Sequence, residues 1–362
     1  MTENYFSMHD HNGKREMLIG DRHIGNKSPV YIIAEISANH NQDYDLAVEI
    51  IKKAKECEAD AIKLQTFSAD GLTINCDNEY FTIKGLPLWE GRNLYDLYRE
   101  SSMPWEWQKK LFAISKDLGL DCFSSPAGRG AVKFLEELNV PAYKIGASDI
   151  VDIQLLEEVC ATQKPIFLST GMSTLSELEY AVNFIKEAGI EQVALLKCTS
   201  SYPAEPEQLN LRTIPHLAET FNCTVGLSDH TLGSDVSIAA VTLGAKIIEK
   251  HFTLSRKTQT LDSDFSMEPA EFKEMVKAIR RVEKSFGKAT YEPSAKEKET
   301  CKYRWSIFVV EDIKSGQRLT KENIRSIRPG FGMSSRYLQE IYGRKALREI
   351  KRGTPLNWTD IE

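Results

Sequence analysis

The chain has 362 residues, of which 41% are hydrophobic and 27% are charged, and its formal net charge at pH 7 is −6. This composition supplies one large hydrophobic core and leaves residues for a small second domain. Because no basic field is concentrated in the sequence, nucleic acid and anionic membrane surfaces are poor candidates as partners.

Residues 1–29 are predicted to be an N-terminal extension, because the first part is polar and lacks the apolar segment of a signal peptide. No uninterrupted apolar run of ~18 residues occurs in the sequence, so we expect no membrane span. The 7 cysteines are scattered and never occur as Cys-x-x-Cys, which indicates reduced thiols. These features predict a cytoplasmic protein with a small-molecule substrate.

Short β-branched runs alternate with segments of helical periodicity between Val30 and Gly287, as in parallel strands joined by helices. The predicted strands end near Glu35, Gln65, Ser125, Lys144, Ser169, Thr199, Ser228 and His251. Eight such units in roughly 250 residues are typical of an α/β fold of the (β/α)8 TIM barrel type, with its active site at the C-terminal strand ends. Residues 30–287 are therefore predicted to be the catalytic barrel. A doubly wound open sheet is the competing interpretation, because repeats do not prove closure.

A second domain is predicted after the barrel. Residues 288–301 are charged and lack apolar periodicity, which indicates a linker. Residues 302–362 contain two similar segments, DIKSGQRLTKENI and EIKRGTPLNWTDI, so this domain is expected to have internal pseudo-twofold symmetry. It is predicted to be a compact, irregular β module that docks on another surface, because its own core is small.

Polar residues at the predicted strand ends form a set that a barrel would bring together: Glu35, Lys63, Gln65, Ser125, Lys144, Ser169, Ser228, His230 and His251. Lys63 and Lys144 are flanked by apolar residues within strands, and burying an ammonium group without a polar partner is costly. Two such lysines predict an anion, and the serine hydroxyls nearby would suit a phosphate and a carboxylate on one ligand. For either lysine alone, a snorkelling side chain is the alternative.

His230 and His251 end neighbouring predicted strands, so both imidazoles could approach one divalent ion. Glu35 and Asp262 lie within plausible reach as oxygen ligands. Imidazole, carboxylate and water suit Mn²⁺, Co²⁺, Zn²⁺ and Fe²⁺ about equally well. For either histidine alone, a hydrogen-bonding role without a metal is the alternative.

Eight short motifs then stand in the order found in one enzyme family: IAEISANHN, AIKLQT, YKIG, LSTGMST, KCTSSYP, GLSDHTLG, IEKHFTL and SIRPGFG. Together they resemble the sialic acid synthase family over about Val30 to Ile361. The C-terminal module resembles the β-rich antifreeze-like (SAF) domain of that family. The segment FTIKGLPLWEGRNLYDLYRES with MPWEW is most similar to the pseudaminic acid synthase branch, although a packed loop and helix is the simpler interpretation of its aromatic residues.

The resemblance implies roles residue by residue. It implies that phosphoenolpyruvate binds to Lys63, Ser125, Lys144, Ser169 and Ser228. It assigns a divalent metal ion (Mn, Mg or Co) to His230 and His251, and it assigns sugar contacts or acid–base duty to Glu35, Gln65, Tyr202 and Asp262. Arg328 would contact the sugar from the partner subunit of a domain-swapped homodimer. Glu35 and the two histidines would be the catalytic residues.

Two departures from the family pattern lie near the implied phosphate site. Relatives usually have a serine three residues after the strand-four lysine, whereas this chain has Ala147 followed by Ser148. Either Ser148 substitutes through a small backbone shift, or one phosphate contact is missing. Relatives also tend to have an aromatic residue at the position of Ala127.

The implied reaction condenses phosphoenolpyruvate with an acetamido-deoxy sugar, 2,4-diacetamido-2,4,6-trideoxy-L-altrose, and water to give pseudaminic acid and phosphate. This sugar lacks a 6-hydroxyl group, so we expect a more apolar pocket, with Trp89 and Phe81 as candidate lining residues. The alternative within the family is an N-acetylneuraminate or legionaminate synthase that uses N-acetylmannosamine or another diacetamido sugar. Outside it, a Schiff-base aldolase and a non-enzymatic binding protein are the rival hypotheses.

Overall fold

The computed structural model describes residues 16–85 and 88–362. The chain forms two compact units, the first ending at Phe286 and the second extending from Gly287 to Glu362. This division lies next to the residue at which the sequence predicted the end of the barrel. Among the described residues, no helix combines the length and the apolarity needed to cross a bilayer.

The first unit is a closed barrel of parallel strands. Its strands are β3 (Tyr31–Glu35), β4 (Ala61–Thr66), β5 (Asp121–Pro126), β6 (Tyr143–Ile145), β7 (Ile166–Ser169), β8 (Val193–Cys198), β9 (Thr224–Asp229) and β10 (Ile247–His251). They follow one another in chain order around the barrel, and β10 closes it by pairing with β3. The predicted (β/α)8 fold is confirmed, and the open-sheet alternative is wrong.

Helices cover the outside of the barrel. They are α1 (Tyr44–Glu56), α2 (Ala69–Leu72), α3 (Leu94–Ser101), α4 (Trp105–Asp117), α5 (Ala131–Glu137), α6 (Ile153–Ala161), α7 (Leu175–Glu187), α8 (Thr213–Phe221), α9 (Asp235–Thr242) and α10 (Pro269–Ser285). Local sequence fixes several of their starts: Asp43 caps α1 through bonds from the next turn, and Thr174 forms a capping box with Glu177 at α7. Their apolar faces and the outward strand residues make one continuous core.

The interior of the barrel has an apolar floor and a polar top. Tyr31, Phe123 and Phe167 lie in the lower layer, with the Phe123 and Phe167 rings stacked at 5.0 Å. A hairpin of β1 (Met17–Ile19) and β2 (Arg22–Ile24) packs against this layer. Because successive strand residues alternate between faces, the next inward positions lie at the C-terminal end, where polar residues take over.

Ion pairs fasten the hairpin to the floor of the barrel. Arg22 contacts Asp60 at 3.0 Å and Asp121 at 3.2 Å, and Tyr31 donates a hydrogen bond to Asp121. Residues 17–24, which the sequence placed in an extension, therefore pack as part of the barrel. Residues 1–15 of that predicted extension lie outside the described residues.

The second unit contains an internal repeat. Its elements are α11 (Ala295–Thr300), β11 (Ser306–Val309), β12 (Ile324–Ile327) and α12 (Leu338–Ile341), so the predicted linker includes a short helix. Ile313 and Ile350 occupy equivalent places in the two segments and exchange two backbone hydrogen bonds of 2.8 Å. Leu319, Leu356 and the other apolar residues of both segments share one core. The repeat seen in the sequence is thus a pseudo-twofold packing unit.

Candidate active site

The predicted polar residues converge at the C-terminal end of the barrel. Seven of the eight strands supply them: β3 to β7, β9 and β10. Glu35, Lys63, Lys144, Ser169 and Ser228 are buried, although their strands are otherwise apolar. A polar pocket is therefore built into the upper layer of the barrel, as the sequence predicted.

Alternating carboxylates and lysines form the centre of this pocket. Lys63 Nζ lies 2.8 Å from Glu35 Oε2 and 3.6 Å from Glu249 Oε1. Lys144 Nζ lies 3.6 Å from the same Glu249 oxygen, and Ser228 donates a 2.9 Å hydrogen bond to it. Neither lysine snorkels to solvent, because both are nearly fully buried. Two ammonium groups next to one shared carboxylate oxygen are chemically suited to an anion with more than one charged group.

Glu249 is a site residue that the sequence analysis missed. It stands two residues before His251 in β10, and residues two apart in a strand point to the same face. The period-two rule, applied to Ile247–His251, would have placed its carboxylate in the pocket. Its Oε2 atom is buried without a hydrogen-bond partner, so one acceptor remains free to meet a ligand or water.

Burial and pairing move the pKa values of these groups in different directions. Burial raises the pKa of Glu35, and the nearby Lys63 offsets this only in part. Burial also acts on Glu249, but Lys144 and Lys63 outweigh it and hold the pKa of that carboxyl below its ordinary value. Burial lowers the pKa of Lys144. Glu35 is thus the carboxyl better suited to carry a proton.

The serine hydroxyls in and near the pocket differ in whether they already have a hydrogen-bond partner. Ser125 Oγ lies 3.5 Å from Lys63 Nζ, whereas Ser169 Oγ is buried without a partner and is free to donate. Ser148 is exposed, and its hydroxyl donates to Asp149. This favours the second of the two alternatives for the departure at Ala147, namely that one phosphate contact is missing.

His230 and His251 lie side by side at the ends of β9 and β10, with ring centroids 5.3 Å apart. His230 Nδ1 lies 3.0 Å from the carbonyl oxygen of Thr199; the N–H that it donates there leaves Nε2 as a free acceptor. His251 Nδ1 is buried without a partner, and burial together with His230 lowers the pKa of His251 well below its ordinary value. Burial lowers the pKa of His230, but Cys198 and the Thr199 carbonyl outweigh it and raise that pKa above its ordinary value. A divalent metal binds a neutral imidazole with a free nitrogen lone pair, so the pair fits such an ion when His230 has given up its proton.

The carboxylates do not extend this pair into a larger protein cage. Within residues 16–85 and 88–362, no three His, Cys, Asp or Glu side chains are placed to hold one ion. Glu35 is instead engaged with Lys63 and Gln65, and Asp262 accepts a 3.0 Å hydrogen bond from the backbone of Ala38. An ion held by the two histidines would therefore keep positions for water and substrate.

Aromatic rings line the pocket beside the histidines. The Tyr202 ring lies 4.5 Å from that of His230, 5.1 Å from that of Phe265 and 6.1 Å from that of Trp89. Trp89 is thus linked to the site, as predicted from the sequence. Phe81 lies in the 3-10 turn Glu79–Phe81, and no described ring contact joins it to these aromatics.

A turn after β3 joins several of the predicted sugar-contact residues through hydrogen bonds. Ser37 has a φ of 49°, an uncommon value for a residue other than glycine. Its Oγ accepts a 3.0 Å hydrogen bond from Gln65, whose amide also donates to Glu35 at 3.1 Å. Ser37 also hydrogen-bonds to Asp262, although burial still raises the pKa of that carboxyl. Ser37 was missed because nothing in the sequence marks a strained turn residue.

Arg328 lies in the second unit, in the loop after β12. It lines a surface cavity of about 380 Å³ with Arg304 and Trp305, and its guanidinium lies 5.6 Å from the Trp305 ring centroid. A Cβ added at Gly330 would lie 2.8 Å from a backbone oxygen, and one at Gly332 would lie 2.3 Å from another. These glycines therefore serve close approach of the backbone.

The sequence matches the NeuB family over residues 50–291 and the SAF domain over residues 304–362. It is 44% identical to the pseudaminic acid synthase of Helicobacter pylori over 92% of this chain and 98% of that protein. It is 40% identical to the pseudaminic acid synthase of Campylobacter jejuni over 92% of this chain and 97% of that protein.

A solved structure has a similar fold. The N-acetylneuraminic acid synthetase of Leptospira borgpetersenii, crystallised with citrate, has a TM-score of 0.70 and 32% sequence identity, covering 80% of this chain and 96% of that one. The resemblance predicted from the motifs is therefore confirmed.

Proposed function

The chain belongs to the NeuB family and carries a SAF domain, and we propose that it is a pseudaminic acid synthase. It condenses phosphoenolpyruvate with 2,4-diacetamido-2,4,6-trideoxy-L-altrose and water, and it releases pseudaminic acid and phosphate. The relatives that carry this name are similar to the chain over nearly their whole length.

The observation that carries the proposal is the pair of buried lysines in the pocket. Lys63 and Lys144 both lie 3.6 Å from Glu249 Oε1, so an anion that displaces or shares this carboxylate meets two ammonium groups at once. Phosphoenolpyruvate carries a phosphate and a carboxylate on the same carbon atom, carbon 2. Ser125, Ser169 and Ser228 supply hydroxyl groups around the same space.

The bond changes follow from the substrates. Carbon 3 of phosphoenolpyruvate forms a bond to the aldehyde carbon of the open-chain sugar, and water adds at carbon 2. The tetrahedral intermediate then expels phosphate with cleavage of its C–O bond. Lys63 and Lys144 offset the charge that develops on the leaving phosphate.

Glu35 is the proposed proton carrier for the sugar and water oxygens. Burial raises its pKa, so its carboxyl can hold a proton nearer to neutral pH than an exposed glutamate can. Gln65 fixes its orientation through a 3.1 Å hydrogen bond to Oε1. Glu249, whose pKa lies below its ordinary value, is better suited to remain charged and to hold the lysines in place.

We assign a divalent ion, Mn, Mg or Co, to His230 and His251. When bound, such an ion would draw electron density from the sugar aldehyde. The support is the free nitrogen of each imidazole and the 5.3 Å distance between the two ring centroids. Gln65, Tyr202 and Asp262 are the proposed sugar contacts next to it.

The aromatic rings beside the histidines favour a deoxy sugar as the substrate. Trp89, Tyr202 and Phe265 form a contiguous cluster that reaches the histidines. A methyl group at carbon 6 packs well on such rings, whereas a hydroxyl there would lose hydrogen bonds to water. The proposal therefore takes the diacetamido-trideoxy sugar over N-acetylmannosamine.

Arg328 is proposed to act in the site of a partner subunit, in a domain-swapped homodimer. Around it the second unit exposes three aromatic side chains, Tyr303, Trp305 and Phe331. Loops that follow barrel strands expose apolar side chains as well, including Met172 and Leu232. Exposed apolar groups near functional residues are typical of surfaces that a partner covers.

The test is phosphate release from phosphoenolpyruvate with a panel of acetamido sugars, in the presence and absence of a chelator. We expect release only with an acceptor sugar, best with the diacetamido-trideoxy-altrose, and its loss after chelation. Pyruvate consumption with borohydride trapping and indifference to chelators would instead identify a Schiff-base aldolase. If none of the sugars in the panel led to phosphate release, the proposal would be contradicted.

A further inference from the structure

The residues that precede the two histidines form a buried ion pair on the outer side of the barrel. Asp229 precedes His230 and Lys250 precedes His251, and the two stand opposite each other in the pairing of β9 with β10. Lys250 Nζ lies 2.9 Å from Asp229 Oδ2, and their side chains are 1% and 0% exposed. Since strand residues alternate between faces, this pair points away from the pocket that the imidazoles enter.

The same two side chains also hold the residue after His230. Asp229 Oδ1 accepts hydrogen bonds from the backbone N–H of Thr231 at 2.9 Å and from its hydroxyl at 2.7 Å. Lys250 Nζ donates a 2.6 Å hydrogen bond to the carbonyl oxygen of Thr231. Asp229 and Thr231, the two neighbours of His230, are thus both bonded to the side chain of Lys250, which precedes His251.

Stability alone is a weak explanation for this arrangement. The surrounding helices and strands present an apolar core, and well-packed apolar residues commonly replace buried ion pairs without loss of stability. What apolar side chains cannot supply is a directed link between the two strand ends. Asp229 and Lys250 form that link directly next to the two histidines in the chain.

We propose that Asp229 and Lys250 are positioning residues that set the separation and orientation of His230 and His251 for a divalent ion. This inference rests on the metal site of the proposed function. Both side chains point away from the pocket, so each would act through the backbone of its neighbouring histidine. Residues of this kind affect metal affinity by about 10- to 100-fold in known metal sites.

The chain offers a matched control on the same carboxylate. Ser237 is buried in α9, and its hydroxyl donates a 2.6 Å hydrogen bond to Asp229 Oδ2, but it adjoins neither histidine. A Ser237→Ala variant therefore removes a bond of similar length from Asp229 without untying the two strand ends. Lys250→Met removes the link itself and retains an unbranched side chain.

The experiment titrates each metal-free protein with Mn²⁺ and measures the free ion by its paramagnetic resonance signal, so that no catalytic turnover is needed. We expect Lys250→Met to weaken Mn²⁺ binding by about tenfold or more, and Ser237→Ala to leave it within about twofold. Co²⁺ absorption spectra should change in shape in Lys250→Met alone. Unchanged Mn²⁺ affinity and an unchanged Co²⁺ spectrum in a folded Lys250→Met protein would overturn the inference.

A second variant covers the case in which Lys250→Met does not fold. Thr231→Val keeps the side-chain shape and removes only the hydroxyl that bonds to Asp229, so we expect a smaller loss of Mn²⁺ affinity than in Lys250→Met. Affinity equal to that of wild type would count against the inference.

His230→Ala separates this inference from the function on which it rests. If wild type binds no Mn²⁺, or if His230→Ala binds it equally well, the metal assignment and the positioning role both fall. Phosphate release with the sugar panel tests the synthase activity independently. Normal Mn²⁺ binding in wild type, its loss in His230→Ala and its retention in Lys250→Met would reject the positioning role alone.

Discussion

Glu35 Oε2 lies 2.8 Å from Lys63 Nζ in a contact almost closed to water, with side-chain exposures of 0% and 6%. The contact connects the group proposed to move protons with a group proposed to bind phosphate. Replacing Glu35 by Gln keeps the shape of the side chain but removes its proton-carrying carboxyl.

We expect Glu35→Gln to lower kcat by about 10²- to 10⁴-fold, the usual contribution of general acid–base catalysis, while phosphoenolpyruvate still binds. Stopped-flow phosphate release and equilibrium binding would measure the two effects. Glu136→Gln is the control, because Glu136 pairs with Lys164 at 2.6 Å through a carboxylate outside the pocket. A Glu35→Gln enzyme with wild-type kcat would remove Glu35 from the mechanism.

His230→Ala and His251→Ala should each abolish turnover and leave the fold intact. Each removes a proposed metal ligand, and neither side chain belongs to the apolar core clusters. Circular dichroism and thermal unfolding would check the fold, and phosphate release would check turnover. Full activity in either variant, or in wild type after exhaustive chelation, would refute the metal assignment.

Sugar choice should depend on Trp89, whose ring is tilted against that of Tyr202 with the ring centroids 6.1 Å apart. We expect wild type to use the diacetamido-trideoxy-altrose with a higher kcat/KM than N-acetylmannosamine. Trp89→Ala should lower kcat/KM for the deoxy sugar by about tenfold, since an aromatic contact is lost, and should change that for N-acetylmannosamine less. Trp105→Ala is a control, because the Trp105 ring packs on Phe134. Equal or better use of N-acetylmannosamine by wild type would move the protein to the sialic acid branch.

The polar pocket was largely predictable because the lysines and histidines stand in strands, or directly after one, with clear period-two alternation. Lys63 within AIKLQT and His251 at the end of IIEKH could be placed on the inner face from sequence alone. Glu249 is in the same alternation, two residues before His251, so the same rule places it on the inner face.

Other features depend on tertiary contacts that no local pattern encodes. The left-handed backbone of Ser37 is imposed by partners far away in sequence, including Gln65 and Asp262. The hairpin Met17–Ile24 is too short to be distinguished from a polar extension, and it joins the barrel through apolar packing and through the ion pairs of Arg22 with two aspartates. Sequence periodicity predicts which face of a strand or helix a residue occupies. It does not predict which distant loop contacts a given turn.

A pH effect on stability should come from His40, which is buried and packs edge-on against Trp107. Burial lowers the pKa of His40 from 6.5 to about 4. The unfolded chain therefore binds this proton at a higher pH than the folded chain does, and the free energy of unfolding falls as the pH drops from about 6.5 towards 4. At pH 4.5 the loss should be about 2 kcal/mol relative to neutral pH.

His40→Asn isolates this contribution, because its side-chain oxygen can accept the backbone hydrogen bond from Gln42 that His40 Nδ1 accepts at 3.1 Å. Urea unfolding at pH 7 and pH 4.5 should give a smaller decrease in the variant than in wild type. The same decrease in both proteins would mean that His40 is not the group that titrates.

Arg328 provides the test of the proposed dimer. It is an exposed arginine whose guanidinium lies over Trp305. Arginine offers five donors and a permanent charge, which suit sugar hydroxyl and acetamido oxygens. Arg328→Ala should therefore weaken sugar use strongly, with little change in phosphoenolpyruvate binding or thermal stability. Arg336→Ala is the matched control, because Arg336 also lies over an aromatic ring of the same unit, that of Tyr337.

Complementation decides whether Arg328 acts across subunits. A dimer of one Arg328→Ala chain and one His230→Ala chain would contain one site with both defects and one site with none. Equal mixing with free subunit exchange makes about half of the dimers mixed, so about a quarter of wild-type activity should return, and a purified mixed dimer should reach about half. If Arg328 serves the barrel of its own chain, every site in the mixed dimer carries one defect and no activity returns. Phosphate release from a dimer isolated with two different affinity tags distinguishes these outcomes, and no recovery there would place Arg328 within its own subunit or outside the site.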